Sequence, residues 1–123
     1  MMHHRTLLPT LLVLLLGGCG DCGSTEQAAA MATGLSQERL AQLARDIDAL
    51  PQEVILDSTS GIPAAFADLQ PRTIVSRGSG VVIHLAGCFD NKAVLLVDRD
   101  ELPREIVLVP GENKASVLLW QSK

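Results

Sequence analysis

From residue 73 to residue 120 the chain alternates short β-branched and leucine-rich stretches with gaps of a few turn-forming residues. The stretches are Thr73–Arg77, Val81–Ala86, Ala93–Asp98, Glu105–Val109 and Ser116–Trp120. Between them lie Gly78-Ser79-Gly80, Gly87 to Asn91, the 98–103 segment and Pro110 to Asn113, all rich in residues that favour turns over strands. A parallel return needs a crossover of roughly a dozen residues or more, usually a helix. No gap offers that length, so neighbouring strands must run antiparallel. The pattern predicts an α+β fold, with an N-terminal helix packed on an antiparallel four- to five-stranded meander.

The helix is expected over Ser36 to Leu50. Ser36 is a good N-cap because its hydroxyl can accept from an unpaired N–H of the first turn. Leu35 and Leu40 have the spacing of a hydrophobic staple, and Glu38 suits the positive end of the helix dipole. Leu40, Leu43, Ala44, Ile47 and Leu50 recur at helical spacing, while Gln42, Arg45, Asp46 and Asp48 point elsewhere. Pro51 stops the helix. Residues 57–71 then carry turn formers, with one or two helical turns over Ile62 to Leu69 opened by Pro63.

One helix covers one face of a sheet. Val94 and Leu96 must face away from Leu95 and Val97, and Ile106 and Leu108 away from Val107 and Val109, so both faces carry apolar side chains. The second face needs a cover, supplied by the 52–72 segment, a second subunit or another protein. Packing within the monomer is the expected answer.

The N-terminus is of a different kind. A polar start with His3, His4 and Arg5 precedes an apolar run from Leu7 to Leu16. Ten helical residues would cover about half of a hydrocarbon core of ~30 Å, so the run reads as an export signal rather than a membrane span. Leu16-Gly17-Gly18-Cys19 follows and resembles the lipobox of bacterial lipoprotein precursors. That resemblance implies cleavage before Cys19, a diacylglycerol on its thiol and acylation of the new amino terminus. Gly17 and Gly18 leave the backbone open to a protease. Cys22 is a poorer match because Asp21 precedes it. In this class an Asp after the lipid-bearing Cys favours the inner membrane, and Gly20 here implies the outer membrane, facing the periplasm. The resulting division is a signal peptide over 1–18, a lipid anchor and flexible tether over 19–35, and one globular domain over 36–123. The small, polar composition of Gly20 to Gly34 supports the tether.

Lipid on Cys19 would leave Cys22 and Cys88. Two thiols in an oxidising compartment invite a disulfide, which on the chain-entropy account contributes roughly 4 kcal/mol for so long a loop. The alternative is a thiol in a loose leader and another in a loop.

Composition narrows the function. The only aromatic residues are Phe66, Phe89 and Trp120, too few for stacking platforms that grip sugars or single strands. The net charge of −4 offers no attraction to phosphate backbones, so nucleic acid is not an expected partner. His84 reads as a structural imidazole in a strand. Ser58, Ser60 and Ser79 lack the spacing of a nucleophile elbow. Gly78-Ser79-Gly80 has no following helix to make a phosphate cradle. Asp98, Asp100 and Glu101 form an acidic loop, but it lacks the length and glycine of an EF-hand, and Arg99 interrupts it. No catalytic residue, metal or cofactor is expected. The reading is a non-enzymatic envelope lipoprotein that binds another protein or pairs as a homodimer, anchored by lipid on Cys19. An enzyme inhibitor or immunity-type protein is the alternative, with the 87–91 and 98–104 loops as its contacts.

Overall fold

The computed structural model describes residues 22–123. The expected signal peptide and Cys19 lie outside the described residues.

Six strands form one antiparallel sheet in chain order: β1 (Glu53–Asp57), β2 (Thr73–Arg77), β3 (Gly80–Cys88), β4 (Asn91–Asp98), β5 (Glu105–Val109) and β6 (Val117–Gln121). With its helices the fold is α+β, and the meander has six strands rather than four or five. The additional strand is β1, whose five residues are too short a run to declare a period. Pairing of Ile55 with Val75 and its neighbours along β2 makes it a strand.

The segment expected to be a flexible tether instead carries a helix, α1 (Thr25–Thr33). Ser24 caps it, its hydroxyl accepting from the Gln27 N–H at 3.1 Å. Ala32 is completely buried, and Ala28, Ala29 and Met31 pack against the core. Alanine is the strongest helix former, and its small side chain lets a helix lie close on a sheet. Burial against β3, β4 and β5, not amphipathicity, holds α1.

Helix α2 (Gln37–Asp48) matches its sequence signals. Ser36 accepts from the Arg39 N–H at 3.0 Å, and Leu40, Leu43, Ala44 and Ile47 are buried. Pro63 leads into a 3-10 helix (Ala64–Leu69) that buries Phe66 and Leu69. Both helices and the 3-10 turn lie on one face of the sheet, over Ile74, Val81, Ile83, Leu95, Ile106 and Leu108. Ser76 is the buried polar residue on that face. Its hydroxyl donates to the Pro51 carbonyl at 2.7 Å and accepts from Arg99 Nη2 at 2.6 Å, so its burial is compensated.

Antiparallel order sends the connections to two opposite ends. The β1–β2 segment, the β3–β4 tip, the β5–β6 loop and Cys22 share one end. The β2–β3 turn and the β4–β5 loop occupy the other.

Candidate functional site

The face of the sheet away from the helices is open among the described residues. Register places one residue from each strand on a single line across it: Ile55, Val75, Val82, Leu96, Val107 and Leu118. Six strands at ~4.8 Å spacing make this row about 24 Å wide. Its ends are the most exposed, Ile55 at 54% and Leu118 at 52%. The expectation of internal cover is therefore corrected. Residues 52–72 supply an edge strand to the same sheet and a turn on the helical side, so they cannot cover the opposite face. Every one of the six positions is β-branched or leucine, the composition of a core face rather than of a solvated one.

The rows on either side are of mixed character. Glu53, Arg77, Gly80 and Asp98 lie on the β2–β3 turn side, and Asp57, Thr73, His84 and Val94 on the other. A shallow groove of about 300 Å³ is lined by Val82, Leu96 and Val107 together with Asp98, Glu101 and Glu105. Hydrogen bonding to Glu105, with the charge of Glu105 and of Asp98, holds the Glu101 carboxyl above its usual range. Three carboxylates thus crowd this edge of the apolar row.

The residues singled out in the sequence fall in different places. Cys22 and Cys88 stand as a disulfide pair with Cα atoms 5.4 Å apart. The Gly87 N–H donates to the Cys22 carbonyl, so backbone and sulfur together moor the start of α1 to β3. His84 Nε2 lies 3.1 Å from the Ala86 carbonyl and 2.9 Å from that of Gly87. Both partners only accept, so Nε2 carries the proton and the ring clamps the β-bulge between His84 and Ala86. Ser60 accepts from the Asp57 N–H, and Asp57 in turn accepts from the Thr59 and Ser60 N–H groups, holding its carboxyl below the usual range. Gly78 and Ser79 form the β2–β3 turn. Ser58, Ser60 and Ser79 converge on no base.

Asp98, Arg99, Asp100 and Glu101 do not close around a cation. Among the described residues no group of three or more His, Cys, Asp or Glu is placed to hold a metal ion. Arg99 turns inward instead. Nη1 donates to the Ile47 and Leu50 carbonyls at 3.3 and 2.9 Å, and Nη2 to Gly78 O at 2.8 Å as well as to Ser76. It thus closes the C-terminal end of α2, where a positive charge opposes the helix dipole. Arg104 bonds Asp48 and the Arg99 carbonyl beside it. The pocket of about 390 Å³ between these arginines and the β2–β3 turn is walled in part by these paired groups, while Arg104 Nε, buried in the same wall, has no hydrogen-bond partner.

Sequence reasoning missed β1, and with it Ile55 at one end of the apolar row. The apolar run Val54-Ile55-Leu56, flanked by Glu53 and Asp57 and bounded by Pro51 and Ser58, was the available signal. No helix among the described residues is long and apolar enough to cross a membrane. No protein-family model, curated protein or solved structure matches the chain.

Proposed function

We propose that this chain is a lipoprotein of the bacterial cell envelope, held by acyl chains on Cys19 and acting without catalysis as a binding module for another protein. The outer membrane, facing the periplasm, is the location that Gly20 favours. Two acyl chains or more make such an anchor effectively permanent, since each buried CH₂ contributes about 0.8 kcal/mol. A disulfide between Cys22 and Cys88 accords with an oxidising compartment.

The observation that carries the binding role is the open row from Ile55 to Leu118. Its position on a continuous six-stranded sheet suits a preformed interface, because little ordering is needed on contact. The apolar row would form the dry centre and the flanking rows the rim. Glu53, Asp98, Glu101 and Glu105, which outnumber Arg77 along the same edge, favour a partner whose apolar surface is fringed by lysine or arginine. A second copy fits less well, since those carboxylates would meet another such rim, or the Asp57, Thr73 and His84 row.

The test is site-specific photocross-linking in intact cells, paired with intact-mass analysis of the purified chain. A photoreactive residue at Leu96 should trap one discrete partner, and Val107→Glu should lower the yield at least about tenfold. A photoreactive residue at Gln42, on the helical side, should trap none. Identical products from both positions would defeat the binding role. A chain beginning at Met1 with no lipid mass would defeat the anchor.

A further inference from the structure

We infer that the tip of the β3–β4 hairpin is a membrane contact, in which Phe89 enters the lipid interface beside the anchor; the inference rests on the lipidation of Cys19 proposed above. Phe89 is 90% exposed, the most exposed large apolar side chain among the described residues. It contributes nothing to the core. Neither does the turn call for it, because its φ of +55° is a left-handed conformation that glycine or asparagine adopts more readily than a bulky aromatic. A phenyl ring in such a place is explained by what it meets outside the fold.

Covalent geometry says what that is. Cys88, next to Phe89, is bonded to Cys22, and Cys22 is three residues from Cys19. Three residues reach at most about 11 Å fully extended, so acyl chains on Cys19 hold this end of the sheet within that distance of the interface. The β5–β6 loop is secured to the hairpin by the Glu112 N–H donating to Asn91 Oδ1 at 3.0 Å, so both loops meet the interface together. Charge leaves the orientation to the anchor and the ring: Asp90 and Glu112 offset Lys92 and Lys114 at this end, and Arg77 and Arg104 stand among Asp98, Asp100 and Glu101 at the other. Phe89 down and the β4–β5 loop up is the orientation that anchor and ring share, and it stands the open sheet face upright, clear of the membrane.

The full-length lipidated protein is reconstituted into phosphatidylethanolamine–phosphatidylglycerol vesicles whose acyl chains are brominated near the headgroups. Phe89→Trp and Leu102→Trp place reporters at the two ends, and their 90% and 85% exposures leave the packing untouched. The native Trp120 lies toward the far end of β6 and is common to all samples. The expected result is a blue shift and loss of emission for Phe89→Trp, with Leu102→Trp matching the unsubstituted protein. Lipid mass on Cys19 with no quenching at position 89, or with equal quenching at 89 and 102, would overturn the inference and leave the anchor standing. Absence of lipid mass in the same sample would overturn both.

Discussion

Gly87 turns β3 into its hairpin tip with φ at +96°, and a β-carbon there would overlap the Asn91 carbonyl oxygen and come within 2.7 Å of Thr25 Cγ2. Conformation and space both demand glycine. Gly87→Ala is expected to destabilise the protein by about 2 kcal/mol or more, read from urea unfolding. Arg99 is the other position where one residue organises many. Its guanidinium joins the end of α2, the β2–β3 turn and the buried Ser76, so Arg99→Ala takes a donor from three carbonyls and a hydroxyl at once. A loss of about 2–4 kcal/mol is expected, with Arg99→Lys recovering only part because an ammonium lacks the planar fork. Thermal unfolding of the two variants side by side checks this.

Among the elements, α1 and the 3-10 turn are held by buried apolar side chains and by particular bonds that add to them. The disulfide secures the entry to α1, and Cys88→Ser should lower stability by about 4 kcal/mol on the chain-entropy account, with amide exchange in Thr25–Thr33 rising first. The 3-10 turn is tied to α2 by a two-pronged pair, Arg39 Nε and Nη2 to Asp68 at 2.7 and 2.8 Å. The Arg39 hydrogen bond holds the Asp68 carboxyl below its usual value of 3.8. A lowered folded-state value means that the pair stabilises fully above the ordinary carboxylate range and is lost as pH falls through the lowered value. Asp68 is half exposed, so the contribution is at most about 1 kcal/mol. Asp68→Asn should remove that pH-dependent increment, leaving wild type and variant equally stable at the acid end of a pH series of unfolding curves.

At the scale of the whole molecule, the six-stranded sheet is a partition with a filled core on one side and an apolar row on the other. Because that row is not buried by this chain, charging it should leave folding nearly unchanged. Val82→Glu with Val107→Glu is expected to shift unfolding free energy by only about 0.5 kcal/mol per site while abolishing photocross-links from Leu96. A large loss of stability would instead mean that the face is covered in the folded protein. The two ends of the molecule also differ, with the disulfide and the exposed Phe89 at one and the β4–β5 loop at the other. Anchoring at the first end would present the sheet face side-on to partners.

What the sequence alone determined was local. The Ser36 cap, the stripe from Leu40 to Ile47, the turn at Gly78-Ser79 and the five strands after residue 73 each rest on interactions within a few residues, and each is present in the fold. The tertiary structure decided what depends on distant neighbours. Thr25–Thr33 is a helix because a sheet surface lies under its alanines; Glu53–Asp57 is a strand because β2 is beside it; Arg99 leaves an acidic loop because helix carbonyls await it. The open face belongs to the same class. Alternation can show that a strand has two apolar sides, but only the path of the whole chain shows which side the rest of the protein reaches.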